Sequence, residues 1–260
     1  MRALVTNPRY TLLCAAFSIF GFFSVASART ADIYADAVAH PGRSAEDLKR
    51  DAIDHPADIL HLTGIKAGMQ VADVLAGDGY YSELLSYIVG PKGHVQLINN
   101  AGFDKFSDNA WEKRIADHHL ANVEHRTVDM AHLGLADASL DAIVLIKAYH
   151  DLYWVDEKFG WPKIDASAVL DQLAHALKPG GILLVVDHAA KAGVGSADAG
   201  TLHRIDEVYA RKDFEAHGFS FVTSSDLLRK PEDKRDQVSY KPPMLGKTDR
   251  FVYVFRKRAK

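Results

Sequence analysis

The chain has a single cysteine, Cys14, and it lies in an apolar stretch close to the N-terminus. Once that stretch is removed no cysteine remains, which excludes a disulfide, a thiolate nucleophile and a cysteine-bound metal. An excess of positive charge is also missing. The 31 Lys and Arg stand against 34 Asp and Glu, a net −3, which argues against a general nucleic-acid binder. The apolar run from Leu12 to Val25 is shorter than the ~20 residues a spanning helix needs. No internal repeat and no convincing domain boundary interrupts the chain.

The N-terminus reads instead as a secretory signal peptide, residues 1–28. Arg2 and Arg9 make its basic end, Leu12 to Val25 its apolar centre, and Ala26-Ser27-Ala28 an A-x-A cleavage signal. A lipoprotein is disfavoured because Leu13 precedes Cys14 where a small residue is expected. Without Arg2 and Arg9 the basic count falls to 29 and the mature net charge to −5. The expected product is exported, periplasmic or extracellular, with no stable membrane span after cleavage. Residues 29–260 are expected to form one domain with an N-terminal helical cap over about 29–66. Its oligomeric state is open.

What the chain does have is a run of strands ending in polar residues. The first, Gly68 to Leu75, contains Asp73 and leads into the small-residue turn Ala76-Gly77-Asp78-Gly79. Leu84, Leu85, Ile88 and Val89 then recur at helical spacing. Strand, glycine turn and helix allow a ligand to lie against backbone amides at a helix N-terminus. Further strands are predicted at His94–Ile98, Val123–Val128, Leu140–Ile146, Ile182–Val186, Phe219–Thr223 and Arg250–Phe255. Helices are predicted at Tyr80–Val89, Asn109–Leu120, Ala166–Leu177 and Leu202–His217. Before them, Ser44-Ala-Glu-Asp47 resembles a capping box for a helix ending near His55-Pro56, and a short helix follows over Ala57–Thr63. Alternation of this kind implies a mostly parallel α/β sheet. The proline-bearing link between the last two strands implies an antiparallel pair at that edge.

These residues resemble a known family. Asp73-x-x-Ala76-Gly77-x-Gly79-Tyr80 is similar to the first motif of class I S-adenosylmethionine-dependent methyltransferases, and Leu177-Lys-Pro-Gly-Gly181 to the turn into their fifth strand. Tyr149–Trp154, His203–Asp206 and Gly246–Phe251 resemble segments of predicted exported methyltransferases. The resemblance implies a Rossmann-like seven-stranded, mostly parallel sheet with an antiparallel edge strand, S-adenosylmethionine as cofactor and a small-molecule methyl acceptor. It places the methionine end of the cofactor and its ribose against Asp73, Ala76, Gly77, Asp78, Gly79 and Tyr80. The ribose would also meet Asn99 and Asn100, and the adenine Asp129 and Met130. Lys147 would lie where cofactor and substrate meet. Two positions depart from the pattern: Leu75 stands where Gly is usual, and Asn99-Asn100 where many members carry an acid.

For catalysis, His150 is the candidate base and Asp151 its orienting acid. Tyr149 and Tyr153 would shape the pocket or face a cationic sulfonium. His188 and His203, with Asp206 one turn beyond, could join His150 above the sheet. That set would serve as a general-base network or, alternatively, as a metal site of His150, His188 and His203 with a carboxylate, in which case the chain could be an exported, non-methylating protein that binds a metal or small ligand on the same scaffold. Each histidine taken alone fits a cap or surface role equally well, and Asp129 fits a turn cap. Lys247 or Arg250 could pair with an acid in the His203–Asp206 segment, or bind an anionic substrate.

Overall fold

Val71, Ala72 and Val74 are fully buried because their strand runs through the middle of a sheet covered on both faces. In the computed structural model, which describes residues 32–259, this strand is β1 (Gln70–Val74). The predicted signal peptide lies outside the described residues. The other strands are β2 (His94–Asn99), β3 (Val123–Thr127), β4 (Leu140–Ile146), β5 (Leu177–His188), β6 (Phe219–Ser225) and β7 (Arg250–Lys257). Their order across the sheet is β3-β2-β1-β4-β5-β7-β6. β1 to β5 pair in parallel. β7 runs antiparallel to both β5 and β6, so the antiparallel pair expected at this edge is present, with the reversed strand inside it.

Three short helices precede the sheet: α1 (Ile33–Val38), α2 (Ala45–Asp54) and α3 (Pro56–His61). Then come α4 (Tyr80–Val89), α5 (Ala101–Phe106), α6 (Ala110–Asp117), α7 (Ala166–Ala176), α8 (Ala199–Leu202) and α9 (Glu207–Ala216), with a 3-10 turn at His150–Tyr153 after β4. One apolar layer joins α1, α3 and α4 to the sheet, and the other joins α7 and α9. β7 feeds both by strict alternation: Phe251, Tyr253 and Phe255 enter one layer, Val252 and Val254 the other. Strand order reverses between β1 and β4, which opens a crevice at their carboxyl ends.

α2 begins where the capping pattern places it, with Ser44 Oγ accepting the Asp47 N–H at 3.1 Å. Its burial is inverted, however. Asp47 and Asp54 face the body of the protein, while Leu48 and Ile53 are exposed. α2 therefore docks through charges rather than through an apolar stripe.

Two predicted helices differ from the fold. The one expected over Asn109–Leu120 is α6 alone, and α5 precedes it, capped by Asn100 through the Phe103 N–H. The helix expected over Leu202–His217 is broken at His203–Asp206. There Ile205 donates to the His188 carbonyl and Ala190 donates to Ile205, so the segment pairs with the end of β5. The buried Arg204 guanidinium holds the break open, bonded to Asp233 and to the carbonyls of Ala189 and Gln237. These tertiary bonds outweigh local helix propensity.

Candidate active site

The turn after β1 lies in the crevice, and its backbone is that of a glycine loop. Gly77 and Gly79 have φ of +62° and +78°. A Cβ on Gly79 would stand 2.7 Å from Leu97 Cδ1, so this position admits only glycine without rearrangement. Leu75 takes φ +53°, the left-handed conformation for which glycine is the usual residue, and buries its side chain in the core. Packing thus offsets a backbone cost of about 1–2 kcal/mol. Lys147, just past β4, is left-handed as well, at φ +57°.

The side chains around the loop are closely tied. Asp73 is buried and accepts from Ser82 Oγ at 2.7 Å; burial pushes its carboxyl up to about 7, against the Ser82 bond and with help from nearby Asp78. Asp78 Oδ1 accepts the Tyr80 N–H at the start of α4. Asn99 accepts from the Gly77 N–H at 2.9 Å and donates to the Gly77 carbonyl and to Asp104, so its amide braces the loop. Asn100 caps α5. Neither asparagine is placed here as a free ribose acceptor. The acid missing after β2 stands five residues on: Asp104 reaches Asn99, His125 and Thr127 at the same end of the sheet. Asp129 accepts the Ala131 N–H in a tight turn, and Met130 is buried against the core. The loop's glycine backbone at the crevice fits the methionine end of S-adenosylmethionine. Asn99 serves the loop and Asn100 the start of α5.

α2 covers this loop. Arg50 reaches Asp78 at 3.5 Å and stacks 3.8 Å from the centre of the Tyr80 ring. Tyr80 donates to Asp51, and Arg114 of α6 bonds Asp47, Asp78 and Glu83. Asp54 pairs with Lys147 at 2.9 Å and with Arg250. Arg250 therefore meets α2, where the sequence pointed to the His203–Asp206 segment. Burial works against the charge on Asp54, but Lys147, Arg250 and Arg50 together hold it well below the usual carboxylate range. Burial and the Arg50 charge lower Lys147 to about 8, with Asp54 opposing.

Beyond Lys147 the 3-10 turn brings up a second cluster. His150 is buried, with Nδ1 2.7 Å from Asp187 Oδ1 at the end of β5 and its backbone N–H donated to Asp187 Oδ2 at 2.8 Å. Its Nε2 lies 3.3 Å from Asp151 Oδ1, and His203 Nδ1 lies 3.3 Å from the same oxygen. The left-handed backbone of His203, φ +50°, turns this residue toward the cluster. Burial alone would lower the His150 imidazole, but Asp151 and Asp187 overcome it and raise the ring to about 9. His188 stands to one side: its Nδ1 is 2.7 Å from Thr248 Oγ1, and its ring centre is 5.9 Å from that of His150. Burial, then the His150 charge, lowers it well below the ordinary histidine value.

Tyr149 and Tyr153 turn the other way. Both hydroxyls donate to Asp213 Oδ2 at 2.5 Å, and the Tyr149 ring packs on Phe214. Tyr153 borders a separate cavity of about 620 Å³ also lined by Leu152, Ile164, Tyr209 and Asp213. The structure therefore brings His150, Asp151 and His203 together, sets His188 alongside, and places Tyr149 in the core. Asp187, which the sequence shows only as the polar end of a strand, is the residue that grips His150.

A family model for a methyltransferase domain matches residues 72–185, from β1 through β5. A ubiquinone/menaquinone biosynthesis C-methyltransferase, UbiE, of Haemophilus ducreyi is 27% identical over 177 residues, covering 65% of this chain and 62% of that protein. The chain thus spans less than two thirds of the length of this relative. Among solved structures, a SAM-dependent methyltransferase from Aquifex aeolicus superposes with a TM-score of 0.56 at 22% identity, over 81% of this chain and 98% of the other. A possible exported protein of Bordetella parapertussis gives 0.51 at 17% identity, over 81% and 68%. With the sheet order and the glycine loop after β1, these matches show a methyltransferase domain over residues 72–185 on a Rossmann-like methyltransferase fold, and they support the class I S-adenosylmethionine-dependent methyltransferase superfamily.

Proposed function

We propose that this protein transfers a methyl group from S-adenosylmethionine to a small-molecule acceptor, and that it does so outside the cytoplasm. The observation that carries the first part is the glycine loop Ala76–Gly79 at the strand-order reversal, inside the segment that matches a methyltransferase domain. The cofactor, when bound, supplies an electrophilic methyl: an acceptor lone pair takes it, the carbon–sulfur pair returns to sulfur, and the acceptor's proton is released. Ala76 to Gly79 would hold its methionine end through backbone, and Lys147, paired with Asp54, stands between β4 and the His150 cluster in the chain.

The acceptor site is the cluster of His150, Asp151 and His203. It follows β4, the strand next to β1, and Asp187 holds the His150 ring in one orientation. Alignment of acceptor, methyl and sulfur supplies most of the rate. Export is supported by Arg2, Arg9, the apolar stretch and Ala26-Ser27-Ala28, and the Bordetella neighbour is described as a possible exported protein. Among the described residues no helix is long and apolar enough to cross a membrane.

Calorimetric titration with S-adenosylhomocysteine tests the reading. One site per chain is expected, with His150→Ala binding within about twofold of wild type and no methyl transfer by that variant. A protein that binds neither S-adenosylhomocysteine nor S-adenosylmethionine does not have this function.

A further inference from the structure

Resting on the methyl-transfer reading above, we propose that His150, Asp151 and His203 bind one divalent cation of the zinc type, and that the acceptor enters as a further ligand to it. One ligand atom from each residue lies within 4.8 Å of the others. Both nitrogens stand 3.3 Å from Asp151 Oδ1. Donors bound ~2.1 Å from one ion in tetrahedral or octahedral array sit roughly 3.0–3.5 Å apart, so the two spacings to Asp151 already match and the two imidazole nitrogens start no more than 4.8 Å apart. Two imidazoles and a carboxylate suit zinc, iron or cobalt rather than magnesium or calcium.

The surroundings are those of a supported metal ligand set. Asp187 accepts from His150 Nδ1, which fixes the tautomer and leaves Nε2 as the donor to an ion, the carboxylate–histidine arrangement found behind bound metals. Trp154 and Tyr240 flank the His203 ring, with centres 5.0 and 4.7 Å away. Asp151 and Asp187 place two carboxylates against the imidazoles, a balance that favours a cation. His188 is not a member, because its Nδ1 is committed to Thr248 and its ring stands beside the set.

Three protein ligands leave coordination positions open. An acceptor thiol or hydroxyl that ligates the ion loses its proton to solvent as the bond to the metal forms. The resulting anion keeps a lone pair for the methyl group, and no oxidant or reductant is consumed. The acceptor class is therefore a small molecule bearing a metal-ligating thiol or hydroxyl.

The test is a Co(II) titration of chelator-treated protein, followed by visible absorption and equilibrium dialysis. One Co(II) per chain with d–d bands is expected. His203→Ala and Asp151→Asn should bind ~100-fold more weakly, and Asp187→Asn ~10–100-fold more weakly, as for ligands and their supporting carboxylate. His94→Ala, a surface histidine beside Glu124, should match wild type. Binding of S-adenosylhomocysteine by each variant reports that the fold is kept. Absence of stoichiometric Co(II), or wild-type affinity in His203→Ala, overturns the metal site. Methyl transfer that persists in a chelator would sink it too while leaving the methyltransferase reading intact. Metal binding without nucleoside binding would overturn that reading, and with it the proposal.

Discussion

Asp187 holds His150 with two atoms at once, Oδ1 on the ring Nδ1 at 2.7 Å and Oδ2 on the backbone N–H at 2.8 Å. Both residues are buried. Asp187→Ala removes both acceptor oxygens and strands the two His150 donors, along with the His188 N–H that Oδ1 also accepts, which costs about 2–4 kcal/mol. Asp187→Asn retains an oxygen for the backbone N–H and should lose about half as much. Urea denaturation of the two variants measures the difference, and equal losses would contradict it.

Asp73 makes stability depend on pH. Its carboxyl holds a proton up to about 7 in the folded protein, whereas an unfolded aspartate releases it near 4. Between those values the folded state binds more protons, so its contribution falls as pH rises and levels off above 7. Asp73→Asn, which still accepts from Ser82, should gain on wild type across that interval, by at most roughly 4 kcal/mol. Thermal midpoints from pH 4 to 8 show this directly. Parallel curves for the two proteins would exclude it.

Asp54 is the shared partner of Lys147, Arg50 and Arg250. Asp54→Ala leaves three cations around one buried position, and a loss of about 3–5 kcal/mol is expected. Because the folded carboxyl sits far below its unfolded value, the stability it contributes is present above pH 4 and is lost on acidification. The deficit of the variant against wild type should therefore shrink towards pH 2. A constant deficit would place its origin in packing.

The two loop glycines differ in what an added methyl group meets. At Gly79 it strikes Leu97 at 2.7 Å; at Gly77 it rests on the Phe103 ring at an ordinary 3.7 Å. Both carry the left-handed cost of about 1–2 kcal/mol, and only Gly79 adds a collision. Gly79→Ala should be the less stable variant by about 1–3 kcal/mol and the weaker binder of S-adenosylhomocysteine. Melting and calorimetry of the pair decide the order.

The parallel core was legible because its strands are short apolar runs ending in polar residues, a pattern that local chemistry alone produces. Ser44 was legible for the same reason, since a cap is a contact across three residues. What escaped is long-range. The break at His203 depends on Arg204 finding Asp233, and the role of Asn99 depends on Gly77 standing beside it. At α2 the local sequence marks the cap, but the docking face is set by cations contributed from α6, β7 and the end of β4. Of the histidines, the sequence marked His150 and His203, which the fold brings together, and also His188, which the Thr248 bond sets aside.

α2 also bears on how a ligand could enter the crevice. A cover seated on oily residues exposes them to water each time it lifts, and so tends to stay shut or to stick elsewhere. The face of α2 is made of Asp47, Arg50, Asp51 and Asp54, all groups that water welcomes. Lifting it would exchange those ion pairs for hydration rather than expose apolar surface. The seat of α2 on the body of the protein is thus held by forces that dissolved salt screens.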